Sequence, residues 1–480
     1  MMPGTPHPPC PRLPGPVLRA LGLLISLSSL ARGLHAQPAG ASGAAAEPSG
    51  TAAVPTTEAE PTVAASASDA PAPDGRTLSL AAAVRSALER HPSARVARAN
   101  ERAAIAQADQ ALAPLLPSVV ASAQYLRATQ RGAVVAGNGP GQSFSGRDNF
   151  QFGVALNQLI YDFDQTHGRL RAARDSARAQ GGAVEDQRLD LVLGVKNAYF
   201  QARAQLALVG VGRETLANQT RHVDQIAGFV DVGTHPPIDL VQARADQESA
   251  RLALVNAQNA YALAKAELAE AMGLQHAADF EVGDENEPDV TGEDGTSVEL
   301  FALALQGRPD VQAALYTVSS REQSLGAARG GYGPSLSGSV AVNESGGALD
   351  ALAFNWSAGA SLIWPLFEGG ITRANVAQGQ ANLEGAQAQL ELLRQQVLLA
   401  LERARLGVQG AKQALGTAAE LIALSRERLT LAEGRYETGI GTILELSDAQ
   451  VGLTRAQAQR VQAEYNLSIA RAQLVRALGR

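Results

Sequence analysis

Phe354-Asn355-Trp356-Ser357-Ala358-Gly359-Ala360-Ser361-Leu362-Ile363-Trp364 alternates two kinds of residue. Phe354, Trp356, Ala358, Ala360, Leu362 and Trp364 form one series, and Asn355, Ser357, Gly359 and Ser361 fall between them. Because successive side chains on a strand point to opposite faces, this period of two predicts a strand with one apolar and one polar face. Both Trp residues of the chain lie on the apolar face, eight positions apart (364 − 356). At about 3.3 Å per residue and a tilt near 40 degrees they sit roughly 20 Å apart in height, close to the separation of the two aromatic girdles of a membrane barrel.

Three more segments carry the pattern. Leu336, Gly338, Val340 and Val342 alternate with Ser335, Ser337, Ser339 and Asn343. Phe150, Phe152, Val154 and Leu156 alternate with Gln151, Gly153 and Asn157, and Val119, Ala121, Ala123 and Tyr125 face away from Ser122 and Gln124. A polar face of Ser, Asn and Gln suits a water-filled lumen. A soluble sandwich also buries a Trp, but it explains neither the leader nor the helix lengths described below. Four strands are too few to close a barrel, for which about eight is the practical minimum. Since an open edge is not tolerated in lipid, the barrel must be shared. Three chains would give 3 × 4 = 12 strands.

Outward from the strands the chain repeats itself. Val232-Gly233 through Ile238-Asp239-Leu240 matches Thr438-Gly439 through Leu444-Glu445-Leu446 at an offset of 206 (439 − 233), as do Tyr161-Asp162 with Phe367-Glu368 and Gly273 with Gly479. Further upstream the offset is 217 (309 − 92), pairing His91-Pro92 with Arg308-Pro309 and Pro117-Ser118 with Pro334-Ser335. The extra residues of the first copy fall in a Gly-rich stretch around Gly132 to Gly146, which predicts a longer surface loop. Each copy reads helix, strand, strand, very long helix, turn, helix. The first helix, 80 to 112, is interrupted at His91-Pro92 because proline disfavours helix continuation. The long helices, roughly 165 to 230 and 372 to 436, would each be on the order of 95 Å. Leu401, Val408, Leu415, Ile422 and Leu429 recur every seven residues, with Ala404, Ala411 and Ala418 three positions later. Val195, Ala202, Val209, Leu216 and Val223 continue the same phase in the first copy, so a coiled coil with close helix approach is expected.

The N-terminus reads as a secretory signal peptide over residues 1–36: Arg12 and Arg19, an apolar run from Leu21 to Leu30, and Ala36 before Gln37. Cys10, the single cysteine, precedes the apolar run, so neither N-terminal acylation nor a disulfide framework is indicated. Residues 37–76, rich in Ala, Pro and Ser, form a linker that cannot bury enough apolar surface to order itself. The two repeats are placed at 77–285 and 298–480, with an acidic, solvated linker over 286–297. With 40 basic and 47 acidic residues the chain lacks the basic excess of a nucleic-acid surface. No HExxH, phosphate loop or nucleophile constellation appears, so no metal, cofactor or catalytic residue is predicted.

The most specific element is Arg435-Tyr436-Glu-Thr-Gly439-Ile-Gly-Thr-Ile-Leu-Glu445-Leu-Ser-Asp448-Ala449-Gln450, with Ala477-Leu478-Gly479 closing the chain and Val232-Gly233 to Asp239-Leu240-Val241-Gln242-Ala243-Arg244 as its earlier counterpart. In these stretches the sequence resembles the TolC-like outer-membrane efflux proteins over about 77 to 480. The resemblance implies a mixed α/β membrane protein: a trimeric 12-stranded outer-membrane β-barrel, four strands per chain, continuous with a long periplasmic α-helical coiled-coil barrel. It implies an exit duct of a tripartite pump that passively conducts substrate from a periplasmic adaptor and an inner-membrane transporter, in the outer membrane of a Gram-negative bacterium. Within that reading, type I protein secretion stands beside small-molecule efflux. A periplasmic coiled-coil adaptor or structural protein is the rival from another class.

The resemblance also assigns residues. Asp239 and Tyr436 match positions that tie neighbouring helices in the closed state, and Glu445 and Asp448 match acids lining the narrow entrance. Gly441 stands where TolC has an arginine that joins the closing network, a departure from that charge-linked lock. The turns Val232-Gly233-Thr234 and Thr438-Gly439-Ile440 are the expected adaptor contact, and Trp356 and Trp364 the membrane-interface anchors in outer-membrane lipid. His235-Pro236-Pro237 reads as a rigid turn with an exposed imidazole.

Overall fold

A computed structural model describes residues 77–134, 141–275, 279–293 and 295–480. The predicted signal peptide and the 37–76 linker lie outside the described residues. In the first half, β1 (Thr77–Leu78), α1 (Leu80–Arg90) and α2 (Pro92–Leu112) precede β2 (Ser118–Val134) and β3 (Gly141–Tyr161), then α3 (Gln165–Asp231) and α4 (Pro237–Ala271). In the second half, β4 (Glu281–Val282), α5 (Ser297–Gly307) and α6 (Pro309–Gly330) precede β5 (Ser335–Gly346) and β6 (Ala353–Ile363), then α7 (Ile371–Glu437) and α8 (Ile443–Ala477). The two long helices have 67 residues each and their return helices 35 each. No described helix is long and apolar enough to cross a membrane.

The strand order is β2-β3-β5-β6, all antiparallel. Register aligns the alternating faces across the sheet: Val119, Leu156, Val340 and Ala358 form one rung, and Ala121, Val154, Val342 and Trp356 another. The opposite face stacks Ser118, Asn157, Ser339 and Gly359, then Ser122, Gly153, Asn343 and Asn355. The sheet departs from the sequence expectation in two places. The stretch assigned to a surface loop largely continues β2 and β3, which pair out to Val134 and Gly141, because a two-stranded ribbon tolerates its glycines. Trp364 sits one residue beyond β6, where its indole Nε1 donates to the Tyr332 carbonyl at 3.1 Å.

The helices lie side by side, in the order α2-α3-α6-α7 nearer the sheet and α4-α3-α8-α7 towards the far tip. The heptad residues form the core of this layer: Val195, Ala202, Val209, Leu401, Ala404, Val408, Ala411, Ala418 and Ile422 are buried. The end of α4 meets the α1/α2 break, and the end of α8 meets the α5/α6 break. A Cβ on Gly273 would come within 2.8 Å of the His91 backbone, and one on Gly479 within 2.8 Å of the Arg308 backbone. Glycine at both sites lets two short helices stack end to end alongside one long helix.

The acidic segment between the repeats is not a solvated linker. Glu287 and Glu293 are buried. Lys196 pairs with Glu287 at 2.5 Å and Arg203 with Asp284 at 2.7 Å on α3, and Lys265 of α4 pairs with Glu281 at 3.5 Å. Lys412 of α7 and Arg471 of α8 hold Glu293 at 2.6 and 3.1 Å, and Arg471 also pairs with Asp289. The acids fall opposite bases spread over four helices, a match invisible in a linear reading. The Tyr199 hydroxyl, its pKa pushed up to about 12 chiefly by burial, donates to the carbonyls of Leu78 and Gly283 and pins β1 and β4 to α3.

Candidate functional site

The α3/α4 and α7/α8 hairpins end in matching turns. Gly233 and Gly439 take φ of +77 and +73 degrees, and the N–H groups of Thr234 and Ile440 return to the carbonyls of Phe229 and Arg435. These are left-handed helix ends closed by the six-to-one hydrogen bond that glycine permits. Val232, Gly233, Thr234, Thr438, Gly439 and Ile440 are all exposed. The return helices start on different signals. Pro236 and Pro237 open α4, whereas Thr442 caps α8 by accepting from the Glu445 N–H at 3.2 Å.

Just behind the turns the hairpins are joined. The Tyr436 hydroxyl donates to Asp239 Oδ2 at 3.1 Å, and both residues are buried, at 3% and 9% exposure. Burial first, and then the adjacent Asp239 carboxylate, push the phenol pKa well up, so it remains a donor at neutral pH. Apolar packing surrounds the bond, with Ile226, Ala243, Ala432, Leu446 and Ala449 forming a core shared by both hairpins.

A polar seam that no sequence argument identified also joins the hairpins, starting at the tip and running back along the helices. Gln225 donates to Glu437 at 3.0 Å, Ser447 to Asp246 at 2.9 Å and Gln219 to Gln450 at 2.8 Å, while Thr215 and Thr454 share a hydrogen bond at 3.3 Å. His222 stands 3.6 Å from Glu433. A signal for it existed: Gln219 lies three after Leu216, at a seam position where the second copy has Ala404, Ala411 and Ala418 and, 206 residues after Gln219, the polar Ser425. A polar residue at such a position fixes register at some cost in stability.

Glu445 is half-buried and Asp448 exposed, one helical turn apart. Glu445 is not a free carboxylate, because Arg435 pairs with it at 3.1 Å. At Gly441 a Cβ would meet Arg435 Cβ and the Tyr436 N at 3.0 Å, so a side chain there would crowd the turn. The imidazole of His235 is not exposed as expected. It stacks on Phe229 at 4.9 Å between ring centroids and lies 4.8 Å from the Tyr436 ring.

At the other end of the chain the apolar face of the sheet is open. Trp356 is 69% and Trp364 60% exposed, and Val119, Tyr125, Phe354 and Leu362 are exposed with them. Tyr125 packs on Phe150 at 4.9 Å, and Tyr161 on Phe163 at 5.1 Å near the start of α3.

The outer membrane efflux protein model matches residues 83–274 and 300–480. The chain belongs to that family. Outer membrane protein OprJ of Pseudomonas aeruginosa is 28% identical over 411 residues, covering 82% of this chain and 82% of OprJ. The toluene efflux pump outer membrane protein TtgF of Pseudomonas putida is 27% identical over 343 residues, covering 68% and 69%. Among solved structures, a membrane protein from Pseudomonas aeruginosa superposes with a TM-score of 0.74 at 26% identity, over 83% of this chain and 90% of that one. The CmeC outer membrane channel of Campylobacter jejuni shares the fold, with a TM-score of 0.74 at 20% identity and coverage of 83% and 85%. The outer membrane efflux protein is therefore a non-enzymatic channel component of the Gram-negative outer membrane, with its long helices in the periplasm.

Proposed function

We propose that three copies close head to tail into one duct, a 12-stranded barrel in the outer membrane continuous with a periplasmic helical tunnel. One observation carries this: every layer of the chain ends in open edges on the same two flanks. The sheet terminates in β2 and β6, and the helical layer in α2/α4 on one side and α7 on the other. Val96, Ile105, Leu252 and Leu263 are exposed on the first flank, and Leu392, Leu399 and Leu406, seven residues apart, on the second. Unlike edges meeting around an axis give a closed ring, and closure removes the unpaired strands that lipid would not tolerate. In that ring 77–285 and 298–480 act as two repeats joined through 286–297, and Trp356 and Trp364 anchor the barrel at the two lipid interfaces.

The duct conducts passively, receiving substrate from an inner-membrane transporter through a periplasmic adaptor that docks on Val232-Gly233-Thr234 and Thr438-Gly439-Ile440. Asp239 and Tyr436 hold the tip closed. Asp448, with Glu445 partly balanced by Arg435, sets a cation preference at the constriction. Small-molecule efflux is favoured over protein secretion because TtgF, matched over 68% of this chain, is a toluene efflux pump outer membrane protein.

Planar bilayers test the reading. The purified protein should give a small, cation-selective conductance. Tyr436→Phe with Asp239→Ala should raise the conductance, and neutralising Glu445 and Asp448 should weaken selectivity, more so at Asp448. Unchanged conductance and selectivity in both pairs would remove these four residues from the constriction.

A further inference from the structure

We propose that His235 is the positioning residue of the closed tip, an aromatic wedge that holds Tyr436 in line with Asp239 and couples the adaptor-facing turn to that bond. The proposal rests on the gate reading of Asp239 and Tyr436. The two turns are built alike in backbone but not in content: at the repeat offset of 206, His235 corresponds to Gly441 (441 − 235). A side chain at Gly441 would crowd the second turn, since a Cβ would lie 3.0 Å from the Tyr436 N and from the Arg435 Cβ. The ring that packs beside Tyr436 comes instead from the other hairpin.

The contacts form an unbroken path. Thr234, in the exposed turn, donates from Oγ1 to the Phe229 carbonyl at 2.9 Å, and Oγ1 lies 3.2 Å from His235 Nδ1. The imidazole stacks on Phe229 with 24 degrees between the planes and leans on the Tyr436 ring at 44 degrees. Tyr436 then donates to Asp239. Pro236 and Pro237, which follow at once, fix the backbone that presents the ring. A phenol donating to a single carboxylate oxygen can swing about its χ angles unless its ring is packed. Ile226, Ala432 and Leu446 belong to the core on this side, and His235 supplies the aromatic contact from the turn. Displacement of the turn by a docked partner would move Thr234 and His235 together, and Tyr436 would lose the surface that aims it.

The test is single-channel recording of the full-length protein with His235→Ala, His235→Phe and His235→Asn, alone and combined with Tyr436→Phe. Alanine and asparagine should raise the open probability by roughly two- to tenfold, the range an aromatic contact supports. Asparagine keeps a polar group near Thr234 without the ring, so it also guards against a turn that fails to assemble. Phenylalanine restores the packing and should record as wild type, a rescue that a merely structural histidine would not predict. His235→Ala with Tyr436→Phe should open no further than Tyr436→Phe alone. If Tyr436→Phe opens the channel and neither His235→Ala nor His235→Asn does, the wedge is wrong and the gate reading stands. If Tyr436→Phe itself changes nothing, the gate reading fails and the wedge with it. Additive effects in the double variant would overturn transmission through Tyr436.

Discussion

Phe163 and Asp164 sit in the left-handed region, with φ of 52 and 66 degrees, and the residues 206 positions later are Gly369 and Gly370, at 64 and 88 degrees. The same strand-to-helix turn is thus made freely in one half and under strain in the other, where each non-glycine residue costs about 1–2 kcal/mol. Gly333 makes it possible, because a Cβ there would lie 2.3 Å from the Phe163 ring. Glycine position therefore decides more than glycine number. Gly273→Ala should lower stability by at least about 2 kcal/mol, combining a left-handed backbone with the clash on His91, whereas Gly233→Ala, with nothing within 4 Å, should cost only about 1 kcal/mol. Thermal unfolding in detergent would rank the two, and equal losses would show that the helix stack at His91 is loose. His222 adds a pH dependence. Burial lowers its imidazole pKa below 6.5 despite the pull of Glu433, with Arg221 acting in the same direction as burial. The folded state therefore binds this proton less tightly than the unfolded one. Its contribution is complete above about pH 6.5 and declines as pH falls through that value towards the lower folded pKa. Hydrogen-exchange protection at the tip should weaken between about pH 7.5 and 5.5, and His222→Gln should flatten that response.

Elements whose cause is periodic or local were legible before any coordinates. Heptads at 401 to 429, the His91-Pro92 break and the glycine turns fixed the long helices and their ends, since each rests on geometry a short window carries. The lengths of β2 and β3, the packing of the His235 ring on Phe229 and Tyr436 and the pairing of Glu287 and Glu293 were not legible. Each depends on a partner far along the chain, and acids without nearby bases look solvated until folding brings Lys412 and Arg471 alongside. The buried clamp yields a contrast. Burial alone would raise the Glu293 pKa, but hydrogen bonds from Lys412, Val290 and Arg471, with the charge of Arg471, hold it below 4.5. Its stabilisation is present above that value and lost as pH falls through the folded pKa. Glu293→Gln should cost about 1–3 kcal/mol, since it removes the charge that two cations share and turns one of the two acceptor oxygens into an N–H donor. Asp284→Asn should cost at most about 1 kcal/mol, because the Asp284 carboxylate is 90% exposed and water screens its pairing with the less exposed Arg203. Indistinguishable melting temperatures would mean that the segment does not brace the four helices it touches.

As a whole, the chain is an unfinished object: a sheet with an exposed apolar face, two free strand edges, and a helical layer whose flanks carry unmatched leucines, valines and isoleucines. The family accounts for its place in the outer membrane, and the proposed closure by three would pair its open edges. A gate, a selectivity ring and an adaptor platform all require the lumen that the proposed closure by three would form. The most direct measurement is the mass of the detergent-solubilised protein by light scattering or native mass spectrometry, taken with circular dichroism on the same sample. Three copies per particle, with strand and helix signals retained, is the predicted result. A monodisperse monomer that keeps its β-structure would contradict the shared barrel.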